Sequence, residues 1–113
     1  MATTPSPVIM MPATSTSFPT PEGARERGEV VLSRQNLRVA RLIVPPNAPL
    51  MEHRSPDDVV IVVVRGVGMI TVNGTTRRVK VGDAIDIRPG AAHSVSAHDE
   101  LELVVVHARL AGG

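Results

Sequence analysis

From Gly28 onward the chain alternates short apolar runs with turn signals, and no run keeps a helical period over about twelve residues. The runs EVVLS (29–33), NLRVARLIVP (36–45), LMEHR (50–54), DVVIVVVR (58–65), MITV (69–72), TTRRVKV (75–81), AIDIR (84–88), HSVSA (93–97) and ELELVVVHARL (100–110) are rich in Val and Ile. β-branched residues favour strands because they pack well on a pleated surface. The separators are breakers: Pro45-Pro46-Asn47, Ser55-Pro56-Asp57-Asp58, Asn73-Gly74, Gly82-Asp83 and Pro89-Gly90. Asn-Gly between two such runs is the strongest short-range hairpin signal. Eight or nine strands at near-regular spacing predict an all-β antiparallel sandwich or barrel.

Two runs do not alternate. VVIVVV (59–64) and LVVV (103–106) are apolar on both faces, whereas an antiparallel strand with one wet face carries polar residues at every second position. A second cover is required, and in a chain of 113 residues the expected cover is another copy, a homodimer formed through a sheet face.

Residues 1–27 read differently. The first 21 hold five of the ten prolines and eight Ser or Thr, with no charge. Such a segment buries little, so it is expected to be a tail, flexible or swapped onto a partner, with VIMM (8–11) as a strand for a neighbour's sheet edge. Residues 28–113 form the single folded domain, a size ordinary for one core. The early residues lack the basic start of a signal peptide, and no apolar run approaches the ~20 residues of a bilayer-spanning helix. The expectation is a cytoplasmic protein with no membrane role.

Composition narrows the function. A net charge of +1 gives no field to hold a polyanion, so nucleic acid is not expected. There is no cysteine, hence no disulfide and no thiolate ligand. The one aromatic ring beyond the histidines is Phe18, in the tail, so the domain offers no platform on which a sugar or a base could stack. No Ser-His-acid arrangement or glycine-rich phosphate loop is present. Catalytic residues, and whether the protein is an enzyme at all, stay undetermined at this level.

The spacing of residues 47–66 and 82–97 resembles the two motifs of the cupins. In the first, GxxxxxHxH followed by Glu and a closing Gly, Asn47 stands at the first Gly, His53 at the first His, Ser55 at the second His, Val59 at the Glu and Gly66 at the last Gly. In the second, GxxxxxPxGxxHxxxN, Gly82, Gly90 and His93 match, Pro89 arrives one residue late, and Ala97 replaces the Asn. The resemblance covers Asn36 to Leu110 and implies a jelly-roll β-barrel of two antiparallel sheets with its pocket inside. It also implies a divalent metal, Fe, Mn, Zn or Ni, for which His53 and His93 fill ligand positions while Ser55 and Val59 leave two empty. Dioxygenase-like or isomerase-like chemistry on a small organic acid or diketone is the activity it suggests. The missing tyrosine disfavours the epimerase branch.

Strand parity develops the site. An inward His53 carries Met51 and Ser55 inward with it, and an inward His93 carries Val95 and Ala97. A third metal ligand would come from Asp58, Asp57 or Glu52, yet SPDD also reads as a turn whose carboxylates face water. His107 shares parity with Leu101, Leu103 and Val105, which places it either inside a barrel end or at an interface. Met51, Ser55, Val59, Val95 and His107 are therefore candidate pocket residues. His98 and the cations Arg65, Arg77, Arg78, Lys80 and Arg88 read as solvated, with Arg88 a candidate contact for an anion. The competing reading is a metal-free pocket in which His53, His93 and Ser55 hydrogen-bond a small molecule.

Overall fold

A computed structural model describes residues 28–109, and the segment 1–27, including VIMM, lies outside the described residues. Nine strands follow one another: β1 Gly28–Arg34, β2 Leu37–Val44, β3 Leu50–His53, β4 Asp58–Arg65, β5 Gly68–Val72, β6 Thr75–Val79, β7 Ala84–Ile87, β8 His93–Ala97 and β9 Leu101–Ala108. Each expected strand is present to within two residues at either end, and no helix occurs among the described residues. The separators act as their chemistry requires. Asn73 and Gly74 join β5 to β6 with both φ angles positive, 49° and 84°, the backbone of a two-residue turn whose twist matches that of its strands. At Gly66, also at positive φ, a Cβ would strike the Glu100 carbonyl, so the closing glycine of the first motif is required by close backbone approach.

All pairings are antiparallel, in a five-stranded sheet ordered β1-β2-β9-β4-β7 and a four-stranded sheet ordered β3-β8-β5-β6. This is the jelly-roll barrel of two antiparallel sheets. The register stacks the inward side chains in layers. Val44 pairs with Leu101 at one end. In the first sheet Leu42, Leu103 and Val63 form the next row, then Ala40, Val105, Ile61 and Ile85, and last Arg38, His107 and Val59. In the second sheet the rows are Gly68, Ala97 and Val79, then Ile70, Val95 and Leu50, and last Val72, His93 and His53. The core is thus aliphatic through most of its length and turns polar only in its final layer.

Candidate functional site

The polar layer is assembled by the loops that open on that end. The turn between β7 and β8 is tied down from two sides: Gly90 donates its N–H to the Ser55 carbonyl at 2.7 Å, and Arg54 donates to the Gly90 carbonyl at 2.7 Å. Asn73 meets the same turn, accepting the Ala92 N–H on its side-chain oxygen and donating its own N–H to the Ala92 carbonyl. These bonds fix where β8 begins and so where His93 stands.

His53 and His93 are register partners, and their rings lie 4.1 Å apart, centroid to centroid, in an edge-to-face arrangement. Each ring also contacts its own backbone. His53 Nδ1 lies 2.9 Å from the Met51 carbonyl, and His93 Nδ1 lies 2.9 Å from the Ala91 carbonyl. A carbonyl only accepts, so each Nδ1 carries the proton and donates. In its neutral form each ring therefore holds its lone pair on Nε2, the tautomer a metal or a hydrogen-bond donor uses. Burial, then repulsion from His53, lowers the His93 pKa against the opposing hydrogen bond to Ala91, so His93 is neutral at physiological pH.

Across the barrel, Arg38, Asp57 and His107 are all buried. Arg38 and His107 are direct cross-strand partners on one face of the sheet. Asp57 Oδ2 lies 3.6 Å from His107 Nδ1, and Oδ1 lies 3.8 Å from Arg109 Nε. Burial, then the Arg38 charge, pushes His107 down to about 4 despite Asp57. At neutral pH its contact with Asp57 is consequently that of a carboxylate with a neutral imidazole, not an ion pair. The charged partners of Asp57 are arginines, and its field opposes the loss of charge that burial imposes on Arg38. Ser55 supports this cluster from below, its Oγ accepting the Asp57 N–H at 3.1 Å.

Several expectations change. Asp57 does not face water; only 2% of it is exposed. Proline sets the turn, but Asp57 is the inward residue leading into β4, in phase with Val59 and Ile61. Asp58 is half-buried, 3.9 Å from Arg88, which is exposed. Met51 is not a pocket residue: it is 68% exposed, because the β3–β8 pairing shifts register between Leu50 and His53 and breaks the alternation that parity assumed. Val59 and Val95 are buried in the aliphatic core and Ala97 packs against it, while Ser55 is buried but spends its oxygen on Asp57. His107 lies inside the barrel end rather than at an interface, and His98 is exposed. Arg38 was missed. Its signal was available: it shares parity with Ala40, Leu42 and Val44, so an inward β2 face must bury it.

The donor set answers part of the metal question. Two imidazoles present Nε2 from adjacent strands, which suits a first-row divalent ion. Among the described residues no three His, Asp or Glu side chains gather around one point, and Asp57 is committed to the arginines. The described residues thus offer at most two imidazole nitrogens here, fewer than the usual three protein ligands of a metal.

A two-sheet jelly roll with a histidine pair at one barrel end defines a class of small β-barrel domains. Within it, residues 40–108, more than half of the chain, match the family model described as "Cupin domain", and the chain belongs to the cupin family. No curated protein matches it. Among solved structures it is similar to an RmlC-like cupin from Shewanella frigidimarina, at 17% identity, 87% and 95% coverage of the two chains and a TM-score of 0.70. It is also similar to a predicted oxalate decarboxylase from Thermotoga maritima, at 24% identity, 74% and 79% coverage and a TM-score of 0.68. For KdgF from a Halomonas species the values are 22%, 74% and 79%, and 0.66. At these identities the likeness is one of fold.

Proposed function

We propose that the polar barrel end binds a divalent transition metal, iron, manganese, zinc or nickel, through Nε2 of His53 and His93, together with a small chelating organic acid or diketone. The observation that carries this reading is the contact between the two rings, each with its Nδ1 tied to a carbonyl, so that both lone pairs are available. When bound, such an ion supplies Lewis-acid or oxygen-binding chemistry. The chain's own contribution is to hold both imidazoles in one tautomer and to keep His93 unprotonated by burial, which removes competition from the proton. With two protein donors, affinity rests on the co-ligand, so metal retention should depend on a chelating acid.

The test is metal content of tag-free protein loaded with each ion and passed over a desalting column, with and without oxalate. Oxalate is the first probe because one fold neighbour is named as a predicted oxalate decarboxylase. The expected result is about one ion per chain with oxalate, lost in His53→Ala and in His93→Ala. Less than about a tenth of an ion per chain under every condition removes the metal. That outcome leaves a second reading, favoured by the lack of a third ligand, in which His53 and His93 hydrogen-bond a small molecule directly. Calorimetric binding of oxalate or acetylacetone to metal-free protein would establish it.

A further inference from the structure

The chain is close to neutral, with a net charge of +1, yet its charges are unevenly spread. On and beside the polar end of the barrel stand Arg34, Arg38, Arg54, Arg88 and Arg109, against Glu52, Asp57 and Asp58. At the opposite tip Asp99, Glu100 and Glu102 outnumber Arg65, while Lys80 and Asp83 cancel as a pair. The positive end is the one that holds the histidine pair, and a mouth with an excess of one sign draws the opposite sign. Building on the polar end as the ligand site, we propose that its ligand is a small carboxylate, and that Arg38 is the residue that receives it and discriminates against a neutral diketone.

Arg38 is 4% exposed and lies in the last inward row beside His107, its cross-strand partner. Its strand, β2, packs on β8, which carries His93. His107 feels the charges of both Arg38 and His93, so guanidinium and imidazole pair bound the same polar interior. A guanidinium held this deep needs negative charge near it. Asp57 supplies one and divides it: Oδ1 also lies 3.8 Å from Arg109 Nε, and Oδ2 lies 3.6 Å from His107 Nδ1. Two arginines thus share one carboxylate, while burial works against the Arg38 charge. A ligand carboxylate brings a second negative charge, and its two oxygens match the planar fork of a guanidinium. A diketone offers similar oxygens without the charge and leaves the excess of cations as it was. His53 is half-buried and marks the solvent side of the row, so an acid enters past the imidazoles with its carboxylate toward Arg38.

The test is calorimetry of the full-length protein, metal-free and metal-loaded, with oxalate and with oxamide, its neutral isostere. Wild type should prefer oxalate by about tenfold or more. Arg38→Gln should remove that preference and leave acetylacetone binding unchanged, and Arg38→Lys should keep part of it. If Arg38→Gln fails to fold by circular dichroism, Arg38→Gln with Asp57→Asn removes both charges together and gives the same readout. Equal binding of oxalate and oxamide by wild type overturns the proposal, as does a preference that survives in the Gln variants, or oxalate bound by neither form of the protein. Protein that retains no ion yet keeps an Arg38-dependent preference removes the metal and leaves the carboxylate site standing. Protein that retains its ion while the Gln variants still prefer oxalate does the reverse.

Discussion

At one end of the barrel Val44, Leu101, Leu103 and Val63 are at most 1% exposed; at the other Arg38, Asp57, His93 and His107, in the same inward rows, are at most 7% exposed. Burial is nearly equal and the physics is not. Dispersion and apolar transfer hold the first end, and they respond to volume. The second end is held by partners that make each other's burial tolerable, so it responds to which partner is missing. Equal depth therefore predicts nothing about how a position fails.

The largest effect should come from Asp57→Ala, which leaves the buried Arg38 guanidinium without the carboxylate that faces it. The expected loss is about 3–5 kcal/mol in denaturant unfolding. Leu103→Ala at the aliphatic end should lose about 2–5 kcal/mol. What separates the ends is repair. Arg38→Met with Asp57→Leu should recover part of that loss, because apolar side chains replace the buried guanidinium and the carboxylate together while the partly exposed Arg109 turns to water. If that double variant is as unstable as Asp57→Ala, the polar end is held by shape rather than by charge.

A smaller effect should appear with pH. Unfolded His107 takes up a proton near pH 6.5, while in the folded barrel it resists protonation down to about 4. Between those values the unfolded chain binds more protons, so the stabilising contribution is complete above about pH 6.5 and is lost as pH falls toward 4, by on the order of 3 kcal/mol. His107→Gln should flatten the slope of unfolding free energy in that window, and an unchanged slope would reject the assignment. Ser55→Ala should cost least, about 1–2 kcal/mol, by leaving the buried Asp57 N–H without its acceptor. A Tm equal to that of wild type would show that water takes the place of the hydroxyl.

The aliphatic end was legible in the chain because its code is local: Val and Ile runs, alternation, and breakers such as Asn73-Gly74. His93 was legible because Gly82, Gly90 and the turn before β8 sit at recognisable spacing. The polar end was read less well. Asp57 follows Pro56 in a turn signal, and short-range rules assign such carboxylates to water; its neighbours inside, Arg38, His107 and Arg109, lie on or just after strands distant in sequence. Met51 was misplaced because a register shift leaves no mark in composition. What escaped was each residue whose position depends on a partner from another strand.

The two imidazoles each take their restraint from the carbonyl two residues upstream, Met51 for His53 and Ala91 for His93. The hydrogen bond that restrains each ring comes from its own strand, not from the other ring. The pair is thus two independent modules that happen to meet, and one donor can be exchanged while its neighbour keeps its aim. A barrel built this way can lose or replace one imidazole in a single step while the other keeps the tautomer and the aim its own carbonyl gives it.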